Sequence, residues 1–165
     1  MTLTDFTGLD DIRAALGVSV DEISDATLSL PLYVNNLVAS LLQVDPGIIT
    51  LFNTKRAIPE GNRTADEYMF VIIFPVYCTY IVAQQLTVSL PLFSPKEITD
   101  GQAGFTRYSQ DPYKETKKGI AQMLDGYYNQ VTAVLALLTS TTAQEYKPPT
   151  VMRVSTIGYD PVVGA

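Results

Sequence analysis

Residues 64–86 read TADEYMFVIIFPVYCTYIVAQQL, and from Tyr68 to Ala83 they carry no charge. The assignment of this run sets the fold. Sixteen residues make a helix of roughly 24 Å, against a bilayer hydrocarbon core of about 30 Å, so the apolar run is too short to span. Its flanks hold Asp66, Glu67, Gln84 and Gln85 where a membrane segment usually shows Lys, Arg or Trp. A helix apolar on nearly every side belongs inside a core or an assembly. Pro75 in its interior removes one backbone hydrogen bond and predicts a kink near Val71 to Phe74.

Working outward, three stretches match the capping-box pattern of a hydroxyl followed three residues later by an acid: Thr7–Asp10, Ser19–Glu22 and Thr64–Glu67. They predict three helix starts. The first helix carries Leu9, Ile12, Ala15 and Leu16 on one face and stops at Gly17. A second runs from Leu30 through Tyr33, Val34, Leu37, Val38 and Leu41, with Pro31 in its first turn and Asp45-Pro46-Gly47 as its end. Residues 47–64 read as a connection whose Ile48–Phe52 stretch fits a short strand or a helical turn. Residues 89–104 hold Pro91, Pro95, Gly101 and Gly104, which predicts a long loop without regular structure. Asp111-Pro112 then offers a cap and first turn for the best amphipathic helix, with Ile120, Met123, Leu124, Tyr127, Tyr128, Val131, Val134, Leu135 and Leu138 at helical spacing.

Beyond it the chain has two adjacent prolines, no helical period and several β-branched residues, which predicts an extended arm over 146–165. Tyr146, Met152, Ile157 and Tyr159 solvate poorly and suit a partner's groove or sheet edge. The expected architecture is mainly α: a helical body over 1–145 with a kinked central buried helix, a long amphipathic C-terminal helix and an extended partner-binding arm.

The 165 residues are 47% hydrophobic with a net charge of −6, which fits one folded domain. The N-terminus has neither the basic start nor the apolar stretch of a secretory signal. Residues 1–50 hold seven acidic side chains against Arg13 alone, while the rest balances at ten of each sign. That negative face disfavours sequence-specific nucleic-acid binding, which needs clustered cations. The basic group Lys114, Lys117 and Lys118 reads as a solvated helix face. The absence of histidine, with one core-like Cys78, excludes Ser-His-Asp, Cys-His and His/Cys metal sites. No phosphate-binding glycine loop occurs. The carboxylate pairs Asp10/Asp11, Asp21/Glu22 and Asp66/Glu67 fall in first helical turns, where capping explains them. A carboxylate-dependent hydrolase would need two of them converging in a cleft. No catalytic residue, cofactor or metal is expected.

The segment Asp11–Gly17 followed by Asp25–Leu28, then Thr99-Asp100-Gly101-Gln102 with Phe105 and Arg107, and the closing Tyr159-Asp160-Pro161-Val162, in this order around an apolar central helix, resemble the head-to-tail connector (adaptor) proteins of tailed bacteriophages. The resemblance spans most of the chain. It implies a non-enzymatic virion subunit, made in the host cytoplasm, that forms a ring of typically twelve copies beneath the portal protein and extends the DNA channel towards a downstream tail protein. It implies no membrane, and double-stranded DNA passing without sequence-specific binding, for which the acidic N-terminal third offers a repelling lining. The arm, with Tyr146, Met152, Arg153, Ile157, Tyr159, Asp160 and Pro161, would dock on the portal or on neighbouring subunits. Asp100 and Arg107 would lie at a subunit or tail contact, or form a salt bridge with each other. A non-viral helical domain that binds a peptide or protein partner in a groove is the alternative.

Overall fold

The computed structural model describes residues 1–87, 97–100, 103–106 and 114–145. The fold is mainly α. A 3-10 turn at Leu3–Asp5 leads into α1 (Leu9–Leu16), α2 (Asp25–Leu28), α3 (Pro31–Val44), α4 (Ile48–Ala57), a second 3-10 turn at Glu60–Asn62, and α5 (Ala65–Thr87). Strands β1 (Glu97–Asp100) and β2 (Ala103–Thr106) precede α6 (Lys114–Glu145).

The cluster of Phe52, Phe70 and Phe74 explains why α5 is the centre. Phe74 lies 4.4 Å from Phe52 and 5.4 Å from Phe70 between ring centroids, so α4 and α5 are joined through aromatic faces. Further along α5, Tyr77, Cys78, Ile81, Val82, Ala83 and Leu86 are buried, and α6 packs along this half with Ile120, Val131, Val134, Leu135 and Leu138. Tyr127 of α6 stacks on Tyr80 at 5.4 Å, and Tyr128 lies 6.4 Å from Tyr77, which joins the two helices along this half. α1, α3 and α4 also pack against α5, and α1 touches α6 as well.

Several expectations change. α5 is 23 residues long and unbroken at Pro75, so its length and composition are sufficient to cross a bilayer. The helix takes in Ala65, Asp66 and Glu67 before the charge-free run and Gln84 to Thr87 after it. Its apolar side chains are instead half spent on protein contacts. Burial on nearly every side holds only for the second half, because Tyr68, Met69 and Ile72 stay exposed in the first. The stretch 48–57 is a helix, not a mere connection: Ile48, Ile49 and Phe52 point into the core, while Lys55 and Arg56 end it favourably for the helix dipole. On α6, Met123 and Tyr128 are exposed although they keep the core spacing. The apolar stripe there is wider than the surface α5 covers.

The loop expected over 89–104 contains regular structure. β1 and β2 pair antiparallel with Ile98 opposite Phe105 and Asp100 opposite Ala103. Two residues, Gly101 and Gln102, separate the strands, and glycine first in a two-residue connection is a hairpin signal that outweighed the neighbouring prolines. Residues 111–112, the expected cap of α6, and the arm over 146–165 lie outside the described residues.

The three predicted capping boxes fare differently. At Thr64 the box forms: the Thr64 amide donates to the Glu67 carboxylate at 2.9 Å, and the Glu67 amide donates to the Thr64 hydroxyl at 3.3 Å. At Ser19 only half forms, the Ser19 amide donating to Glu22 at 2.8 Å, and the segment makes a turn before Ser24 caps α2. At Thr7 none forms, because Gly8 is the N-cap of α1 and the Thr7 side chain is drawn into the core. α1 ends as expected at Gly17, whose φ of 69° suits glycine.

Candidate interaction surfaces

Arg13 organises the acidic N-terminal face. It lies on α1 next to Ile12 in sequence and is buried, 5% exposed. Its Nε donates to the Ile23 carbonyl at 2.8 Å, one guanidinium nitrogen donates to Asp10 at 2.6 Å, and the other pairs with Asp25. The fork thereby ties α1 to the turn before α2 and to α2 itself. The hydrogen bond to Asp25, and then that to Asp10, push the guanidinium above its already high pKa. Asp10 and Asp25 are the two carboxylates brought together, and a guanidinium fills the space between them. Their partner was legible only as the one cation among seven acids, and its depth was not. Asp10, Asp11, Asp21, Glu22 and Asp25 remain solvent-facing around it.

The second tie is polar and buried. Thr79 of α5 donates its hydroxyl to the Pro75 carbonyl at 3.0 Å, so the Thr7 hydroxyl is left to donate to Thr79. This contact locks the N-terminal segment across α5 and explains why Thr7 does not cap α1. Pro75 has no N–H, so the Val71 carbonyl lacks its helical donor. Two shallow grooves meet at Pro75. One, of about 420 Å³, lies between α1 and α5 with Asp11 at its rim and Ala14, Ala15, Val76 and Tyr80 along its sides. The other runs past Phe6, Phe52, Arg56 and Val71. Arg56 sits 5.9 Å from the Phe52 ring centroid and donates to the Asp5 carbonyl at 3.1 Å.

Exposed apolar side chains occur on α3, at Leu32 and Leu42, and in groups of three on α5 and α6. Tyr68, Met69 and Ile72 form a ridge on the first half of α5, and Met123, Tyr128 and Leu137 line α6. Of the residues singled out from sequence, Asp100 closes β1, while Arg107, Tyr146, Met152, Arg153, Ile157, Tyr159, Asp160 and Pro161 lie outside the described residues. Lys114 and Lys118 are exposed at the start of α6. Among the described residues no three of His, Cys, Asp and Glu come together as metal ligands would.

Lys55 and Glu67 were not expected to pair, since α4 was not read as a helix. The Lys55 ammonium donates to Glu67 at 2.7 Å, and that bond, with the Thr64 amide, holds the Glu67 carboxyl below the usual carboxylate range. A depressed folded pKa contributes stability above the unfolded value, and that stability is lost as pH falls through the folded value. Glu67→Gln is therefore expected to destabilise the protein at pH 7 by about 1 kcal/mol, allowing for solvent screening of a partly exposed pair. Urea melts should show the difference narrowing as pH falls below the ordinary glutamate range and closing once the lowered folded value is passed. A constant difference across that range would assign the loss to packing.

No family model matches the chain, and no curated protein or solved structure matches it either.

Proposed function

We propose that this chain is a non-enzymatic assembly subunit, a member of a ring that joins the portal at a phage capsid vertex to the tail and extends the DNA channel. The observation that carries the reading is the apolar surface. Tyr68, Met69 and Ile72 on α5, with Met123 and Leu137 on α6, are each about half exposed, and clustered apolar exposure of this kind marks protein contacts. The resemblance to connectors supplies the assembly in which such faces are covered. Its first motif lies on α1 and α2, held together by Arg13, and of its second Thr99 and Asp100 belong to β1 and Phe105 to β2. The acidic residues around Arg13 give a face that repels a DNA backbone, as a channel lining would need.

The test is light scattering of the protein alone and with its candidate portal, compared with a chain truncated after Tyr146. Full-length protein is expected to join a ring in multiple copies, and the truncation is expected to fold normally while losing portal binding by a factor of at least about 100, the scale of a few buried anchors. Equal binding by both chains would remove the arm from the model. Absence of any ring would favour the second reading, a helical domain that takes a peptide in the groove between α1 and α5 beside Asp11.

A further inference from the structure

We infer that a second copy of this chain packs antiparallel against the outer face of α6, forming a weak two-fold dimer through a seam centred between Val131 and Thr132. The inference stands apart from the ring and portal, since it concerns the protein alone.

The outer face of an amphipathic helix normally carries charge. On α6 the exposed positions from 119 to 140 carry one charge, Asp125. Depletion of charge is what the centre of a protein interface shows. Along this face Met123, Gly126, Gln130, Ala133, Leu137 and Ser140 follow the alternating three and four spacing of a helix–helix seam. Long and short side chains alternate along it. Met123 and Leu137 are half exposed, and a Cβ placed on Gly126 would meet nothing within 4 Å. Glycine weakens a helix interior, and nothing within the described residues requires it here.

The alternation has a two-fold complement. When two copies of α6 run antiparallel about the midpoint between Val131 and Thr132, Gly126 faces the partner's Leu137, Ala133 faces the partner's Gln130, and Ser140 faces the partner's Met123. Every long side chain then meets a short one, as knobs meet holes. A parallel in-register pair would instead set Met123 against Met123 and leave a gap at Gly126. Charge selects the same direction. The antiparallel pair brings Lys118 level with position 145, the C-terminal end of the partner's helix, where the dipole is negative and Glu145 lies in sequence.

Area sets the strength. Eighteen residues from 123 to 140 make a strip about 27 Å long and about 10 Å wide, hence about 300 Å² of footprint per copy. A stable standard interface needs about 800 Å² per partner, so the pair forms only at high concentration. An isologous pair closes on itself and does not propagate, so it must separate before the chain enters any ring.

The test is sedimentation velocity of the full chain from about 10 to about 500 μM, the range in which an interface below standard size dissociates. The native chain is expected to shift from monomer to dimer mass. Gly126→Leu, which raises helix propensity and fills the hole for Leu137, is expected to stay monomeric while remaining folded by circular dichroism. Ala133→Glu serves as a second block. For register, chains carrying Gln130→Cys are mixed with chains carrying Ala133→Cys, and disulfide formation in the mixture is expected to exceed either chain alone by about tenfold, since sulfur atoms join only when their backbones come close. A monomer throughout, a dimer that survives both blocks, or crosslinking of Gln130→Cys alone as fast as in the mixture would each overturn the inference.

Discussion

Phe74→Ala is expected to be the most damaging single truncation in the helical body, costing about 3–5 kcal/mol of stability. Phe74 is fully buried and packs on both Phe52 and Phe70, so its removal opens a cavity where α4 meets α5. Collapse around that cavity is restrained. Pro75 follows at once and limits how the backbone adjusts, while Thr79 is held by Thr7 and by the Pro75 carbonyl. The measurement is the urea midpoint of the variant against wild type, read by circular dichroism at an unchanged slope. A loss under about 1 kcal/mol, the cost of a well-relaxed conservative change, would show that Phe52 and Phe70 close the gap. A loss of that larger size takes more than half of the stability of a domain near the lower end of the usual range, about 5–15 kcal/mol.

The second large effect is kinetic. Cys78 has no solvent exposure, and burial pushes its thiol far above the ordinary value, so the reactive thiolate is suppressed twice over. A disulfide reagent such as Ellman's at pH 8 is expected to react with the folded protein at least about a thousandfold more slowly than with the chain in guanidinium, because labelling must wait for opening of the core. Nearby, Tyr77 has its phenol pushed up to about 12 by burial, first of all, and then by Cys78 and Tyr128, which places both groups in the same dry layer. Fast labelling of the native chain would mean that α5 and α6 separate readily and that this layer is not the core. The two predictions cross-check each other. If labelling follows global opening, Phe74→Ala should accelerate it by about a hundredfold or more, the exponential of about 3 kcal/mol.

Much of the fold was legible where local physics and tertiary packing agree. The helical spacing of Leu9, Ile12 and Leu16, the break at Gly17, Pro31 in a first turn and the reciprocal cap at Thr64 each arise from a few neighbouring residues, and each stands in the structure. Such features are written into dihedral preferences and side-chain reach. α4 was missed because its buried residues, Ile48, Ile49 and Phe52, are too few to show a period and are β-branched or aromatic, the types that strands also favour. The hairpin was missed because the neighbouring prolines masked the Gly101-Gln102 connection.

Sequence by itself determined that the chain is mainly helical, that its acidic charge lies at the N-terminal end, and that residues 68–83 lie on one helix. It did so because apolar periodicity and charge count are sums over neighbours. Only the tertiary structure decided which side of each helix is covered. Thr7 offers the same hydroxyl that Thr64 uses as a cap, yet α1 crosses α5 at Thr79 and the hydroxyl goes there instead. Arg13 reads as one cation among acids until the turn at Ile23 folds over it. Tyr68, Met69 and Ile72 have the apolar character of Phe70 and Phe74, but no element of the described body lies over them. Exposure is a property of what arrives from elsewhere in the chain, and local sequence does not encode that arrival.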